Sequence, residues 1–143
     1  MANIVPDSFK TDLLEGTFNF ASSGGSTFKL ALYTDISGFS TSTTSFTTTN
    51  EVSSSGTNYT SGGNTLTNNG VAIASNTAFV DFADLTFSSV TLTADSALIY
   101  KGTTNEAVLV LDFGGDKTAT NGDFVIQFPT ADSSNAIIRL GDA

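Results

Sequence analysis

The sequence predicts an all-β protein, an antiparallel β-sandwich or jelly roll with one short N-terminal helix, and three observations carry that expectation. Apolar side chains alternate at period two in Thr27-Phe28-Lys29-Leu30-Ala31-Leu32-Tyr33 and again in Asp123-Phe124-Val125-Ile126-Gln127-Phe128, the spacing that turns one face of a strand inward. Eight or more such short segments fall within about 125 residues, punctuated by Gly, Asn, Asp and Ser and with no second helical pattern among them. Twelve Phe with no Trp and a single Met supply the bulky core volume, and the abundance of Thr favours pleated chain over helix.

Residues 6–15 are the one helical stretch. Pro6 suits a first turn, Asp7 sits near the positive end of the helix dipole, and Gly16 closes the C-terminus. Phe9, Leu13 and Leu14 give this helix an apolar face, expected to plug an open end of the core. Residues 1–5 have no pattern of their own and are expected to form an arm that orders on contact. Residues 17–20 read as a short strand, 22–26 as a turn containing Gly24-Gly25, and 27–33 as a half-buried strand with Phe28, Leu30 and Leu32 inward and Lys29 outward.

Residues 34–65 differ from the rest, carrying Ser/Thr/Asn/Gly runs with isolated apolar residues at Ile36, Phe39, Phe46, Val52 and Tyr59. A structureless loop of that length is unusual inside a compact domain. The expectation is an excursion that folds back on the sheet, with short edge strands near 48–52 and 59–66. Phe39, Phe46 and Tyr59 either anchor it on the core or face a neighbouring subunit, anchoring being the simpler reading. Segments 71–74 and 77–82 form a hairpin about Ser75-Asn76. Strands follow at 85–93, 97–100, 107–113, 123–128 and 136–140, with turns at 94–95, 103–105, 114–122 and 132–135. No repeat of fixed period appears, and residues 1–143 fit a single domain able to bury one real core.

Charge and composition then exclude several functions. Five Lys and Arg stand against fourteen Asp and Glu, a net charge of -9 that repels nucleic-acid phosphates. The first residues lack the basic start and apolar run of a signal peptide, and no stretch approaches the ~20 apolar residues of a membrane span. The expectation is therefore a soluble chain made in a cytoplasm, with neither nucleic-acid nor membrane partners. Without Cys the chain uses no disulfide or thiolate-metal staple. Without Cys or His, it cannot assemble the familiar nucleophilic triads or zinc sites.

The remaining candidates for chemistry are carboxylates. Asp81, Asp84, Asp95, Asp112, Asp116 and Asp123 lie near expected strand ends, where a catalytic pair or a Ser-Lys enzyme is conceivable but a turn-forming role is the ordinary one. Asp112-Phe113-Gly114 spells a kinase's magnesium-binding tripeptide, yet the motifs that accompany it in a kinase are missing. Asp112 and Asp116 could hold calcium, though the segment reads more simply as a glycine-rich hairpin. Asn58-Tyr59-Thr60 is formally a glycosylation sequon, which a chain without a secretion signal does not use. Tyr33, Tyr59 and Tyr100 would be the stacking platforms of a carbohydrate-binding module. No catalytic, cofactor or metal residues are assigned, and an enzyme is not expected.

Beyond composition there is a likeness of motif. Ser8-Phe9-Lys10-Thr11-Asp12-Leu13-Leu14, Thr27-Phe28-Lys29-Leu30-Ala31-Leu32-Tyr33-Thr34, Thr49-Asn50-Glu51-Val52, Tyr59-Thr60-Ser61-Gly62-Gly63, Val80-Asp81-Phe82-Ala83-Asp84, Ala97-Leu98-Ile99-Tyr100, Leu111-Asp112-Phe113-Gly114-Gly115 and Ala136-Ile137-Ile138-Arg139-Leu140 together resemble a family of small structural proteins of tailed bacteriophages, including cyanophages. The resemblance spans nearly the whole chain and implies a virion protein, with no catalytic or binding residues to carry over. The expected role is a capsid decoration, or cement, protein on the outer surface of the head. It would bridge neighbouring major capsid subunits and self-associate as a trimer or dimer, with residues 1–5 and 34–65 as contact regions. A tail, baseplate or fibre subunit that meets the host is the alternative, and a carbohydrate-binding module a further one.

Overall fold

In the computed structural model, which describes residues 2–142, two antiparallel sheets share one apolar core. The chain runs α1 (Asp7–Leu14), β1 (Phe28–Tyr33), a 3-10 turn (Ile36–Gly38), β2 (Asn64–Thr65), β3 (Asn68–Ala74), β4 (Thr77–Phe82), β5 (Leu85–Lys101), β6 (Ala107–Ile126) and β7 (Ile138–Leu140). One sheet has the order β2-β1-β5-β6 and the other β3-β4-β7.

β1 takes a central place because it is apolar on both faces. Phe28, Leu30 and Leu32 enter the cluster shared with Val80 and Phe82 of the second sheet. Ala31 and Tyr33 enter a separate cluster on the opposite face, with Leu98, Tyr100 and Val110. The strand is therefore buried on both sides, where the sequence suggested one, and only Lys29 is half-exposed. β1 pairs with β5 along its whole length, from Phe28↔Lys101 to Tyr33↔Ser96.

β5 and β6 form one long hairpin, and here the structure corrects the expected boundaries. The turns placed at 94–95 and 114–122 are irregularities within two continuous strands. Ala94 pairs with Lys117 and Ser96 with Asp112, so residues 113–116 stand opposite Asp95 alone. Gly114 (φ 74) and Gly115 (φ 130) absorb that bulge in a backbone region closed to most side chains. Pairing resumes beyond it and ends at Leu85↔Ile126.

The hairpin β3–β4 matches its expected turn. Ser75 (φ 49) and Asn76 (φ 62) both adopt positive φ, the geometry of a two-residue turn that suits strand twist. β7 joins β4 through Val80↔Ile138 and Ala78↔Leu140.

Residues 17–20 are not a strand. Phe18 and Phe20 do alternate inward and are buried, Phe20 stacking on Phe28 at 4.6 Å between ring centroids. The backbone finds no ladder because Asn19 binds its own turn instead: the Ser26 amide donates to its carbonyl and the Ala21 amide to its side chain. α1 closes this end of the core with Phe9 and, partly, Leu13, while Leu14 stays 82% exposed. The segment expected as an arm lies along β6. Ile4 exchanges two backbone hydrogen bonds of 2.9 Å with Val110, and Asn3 Oδ1 accepts from the Asp112 amide. Met1 lies outside the described residues.

Candidate functional site

The excursion 34–65 covers the outer face of the four-stranded sheet and seals its β1 edge. Its first half brings Ile36, Phe39 and Phe46 onto that face. Phe39 meets Tyr33 edge-on at 4.7 Å, and Phe46 stacks on Tyr100 at 4.7 Å. The bulge residue Asp95 pins the start, its Oδ2 accepting from the Ile36 amide at 3.1 Å. Further along, the Val52 amide donates to Leu32 O, Glu51 bridges Tyr33, and β2 pairs with Lys29 and Leu30. The edge strands foreseen at 48–52 and 59–66 are thus one isolated bridge and a two-residue strand. Gly63 allows the close approach: a Cβ there would lie 1.8 Å from Leu30 O, at a φ of +73.

At the centre of this seam lies a polar cluster that the sequence did not reveal. Glu51 Oε1 accepts from Tyr59 Oη at 2.9 Å and from the Gly62 amide, and Oε2 accepts from Ser61 Oγ at 3.0 Å. Tyr59 Oη also accepts from the Leu32 amide at 3.0 Å. Tyr100 Oη donates to Gly62 O and Tyr33 Oη to Thr47 O, both at 2.6 Å. All three tyrosines are buried, which removes them as stacking platforms for sugars. Burial pushes their phenol pKa values up from 10.0, and the Glu51 charge adds to the shift. Each phenol proton is committed to a hydrogen bond, to Thr47 O, to Glu51 or to Gly62 O. One signal could have exposed it: Glu51 is the single charged residue between Asp35 and Asp81.

Five of the six candidate carboxylates bind main-chain amides. Asp81 Oδ1 takes the Phe82 amide at 2.9 Å, Asp84 Oδ1 the Phe128 amide at 2.8 Å and Asp95 Oδ2 that of Ile36. Asp112 Oδ1 takes the Gly114 amide at 2.8 Å and Asp123 Oδ1 the Ser89 amide at 3.3 Å. All but Asp81, which binds the next amide within β4, fix a bulge, a turn or a loop, as short acidic side chains do. Asp116 lies exposed on the β6 bulge. Asp81 is buried, and burial raises its pKa above the ordinary carboxylate value.

A cleft of about 600 Å³ beside β6 brings Asp112 and Asp123 together with Lys117, Phe113 and Phe128, but not the other four carboxylates. Among the described residues no group of three or more acidic side chains gathers to hold a metal. The Asn58 side-chain amide of the sequon faces Ser88 O and Ser89 O at 3.3 and 3.2 Å. Among the described residues, no helix is long and apolar enough to cross a membrane.

A second cleft, about 560 Å³ and mostly apolar, lies between α1 and β7, with Leu14, Ile138 and Leu140 on its walls. Leu14, Val71, Ile73 and Leu140 are more than half exposed. This apolar surface also escaped the sequence reading, although residues 71–74 offered a signal: all four are apolar where a half-buried strand would alternate. Comparisons of the chain with protein-family models, curated proteins and solved structures find no match.

Proposed function

We propose that this protein is a structural component of a tailed-phage particle, acting through the surfaces it presents and not through turnover. The observation that carries the reading is where its reactive-looking groups are used. Four carboxylates, three phenols and Glu51 fix loops and bulges against the strands, so most of the chain's reactive-looking groups go into making one rigid body. That economy suits a protein whose product is a fixed shape. A two-sheet sandwich is the finer architecture we favour, because four-stranded and three-stranded sheets feed the same cluster through Leu30, Leu32, Val80 and Phe82. A jelly roll of eight strands would demand further pairing at the sheet edges.

Within the particle the role we favour is decoration of the head, with the acidic surface facing solvent and an apolar surface facing the major capsid protein or another copy. The motif likeness to tailed-phage structural proteins supports a virion role and favours no position within the particle. The decisive measurement is a density map of purified particles with this chain labelled. Label on the outside of heads, and heads that burst at lower temperature once the protein is stripped, are expected. Label confined to tails or fibres would replace decoration by the host-contact role, and its absence from particles would end the virion reading.

A further inference from the structure

We infer that the free edge of β3, at residues 71–74, is where a second copy of this chain docks, by two-fold antiparallel strand addition. The cross-strand register gives the first reason. Val71, Val80 and Ile138 form one row across the three-stranded sheet, and Ile73, Ala78 and Leu140 the next row on the same face. Val80 is buried in the core, so this is the core-facing side of the sheet carried past the reach of the opposite layer. There Val71 is 60% exposed, Ile73 74% and Leu140 61%.

The strand edge gives the second. β3 is outermost in its sheet, and among the described residues no backbone hydrogen bond reaches the outer side of 71–74. Its opening residues are closed differently, Asn68 Nδ2 donating to Phe20 O at 2.9 Å. Because the turn has two residues, Ala74↔Thr77 is the hydrogen-bonded pair that flanks it. Val71 and Ile73 therefore aim their amides and carbonyls outward. Proteins that keep such an edge single usually guard it with Lys, Pro or a bulge; the irregularity of β3 ends at Val71, and Val71-Ala72-Ile73-Ala74 beyond it has no Lys or Pro and pairs regularly with β4.

Charge selects the occupant. The chain carries -9, yet no charged side chain occurs between Glu51 and Asp81. Two copies of an acidic molecule meet here with the least mutual repulsion, whereas a basic partner would be drawn to the acidic surface elsewhere. Antiparallel addition about a two-fold axis is also self-complementary. It sets Val71 and Ile73 against the same residues of the partner and makes one six-stranded sheet from two of three.

This inference rests on the assembly role proposed above and names its first contact. Sedimentation velocity of the purified chain from about 1 μM to 1 mM is expected to show a concentration-dependent dimer. Ile73→Lys and Val71→Lys should each weaken it at least about tenfold, with circular dichroism unchanged, and with melting temperature unchanged at concentrations where the parent is monomeric, because both positions are exposed. Since the chain has no Cys, a single Ile73→Cys or Ala72→Cys should cross-link the dimer rapidly under mild oxidation, while Ser53→Cys on an exposed loop should not. A monomer throughout that range, or a dimer indifferent to both Lys variants and to both edge cysteines, overturns the inference. A failed dimer with the chain still mapped on particles removes only this interface, and a dimer whose chain is missing from particles removes only the virion role.

Discussion

Raising the pH above the ordinary phenol value of 10.0 is expected to unfold this protein through its tyrosines. Tyr33, Tyr59 and Tyr100 are the three tyrosines of the chain; all are buried, and each hydroxyl donates to a carbonyl or to Glu51. Their folded-state pKa values lie above the unfolded value, so the unfolded chain releases these protons first. The stability they contribute is fully present below pH 10 and is lost as pH rises toward the folded values. One pH unit above 10, each phenol still protonated in the fold costs about 1.4 kcal/mol relative to neutrality. Tyr33 and Tyr59, whose shifts are large, together cost about 3 kcal/mol, a large share of the 5–15 kcal/mol typical of a domain.

The assay is direct because no Trp or Cys absorbs alongside the tyrosinate band. Denaturant unfolding at about pH 8 and about pH 11 gives the stability difference, and near-ultraviolet absorbance gives the phenol titration. Ionisation should coincide with loss of the β signal, and added salt, which screens general repulsion, should leave most of the effect. Three phenols ionising near pH 10 in a protein that stays folded would refute the cluster as a structural lock.

Three further outcomes are expected. Gly63→Ala puts a methyl 1.8 Å from Leu30 O at positive φ, so β2 must leave β1; a loss of about 3 kcal/mol or more in urea unfolding is expected, and a loss under 1 kcal/mol would contradict the close approach. Asp81→Asn removes a buried charge whose folded pKa is raised, so the native side chain is best tolerated in acid and costs stability as pH rises through its folded value. The variant should gain on the parent as pH rises from acid to neutrality, and a gap that does not change with pH would refute it. Phe46→Ala removes a half-buried ring from Tyr100, and should cost about 1–2 kcal/mol and speed proteolysis within 34–65 while α1 and the β5–β6 hairpin resist cleavage.

How much of this was legible in the sequence depended on whether the signal was local. The Ser75-Asn76 turn was readable because a two-residue hairpin is fixed by the residues that can take positive φ. The alternation of Phe28, Leu30 and Leu32 was readable for the same kind of reason. Gly114, Gly115 and Asn121 carry the same chemistry as a turn, yet there the partner strand runs on and the chain bulges. Nothing within residues 114–122 says that β5 continues beside them. The second buried face of β1 was hidden likewise, since Ala31 and Tyr33 look like a modest outer face until Phe39 and Phe46 are brought onto it from the excursion.

The exposed row of Ile73 and Leu140 marks the limit of hydrophobic patterning. Val80 and Ile73 present the same kind of side chain to the same face of one sheet, and one is buried while the other is 74% exposed. Periodicity reports the face, whereas burial depends on what the opposite layer covers, and residues that share the cluster with Val80, such as Leu30 and Leu32, are far away in sequence. Folding alone does not require apolar side chains beyond that limit, whereas the second copy inferred above would cover them. The residues that patterning alone places in the core but the tertiary structure leaves in water are therefore where this protein's contacts are to be sought.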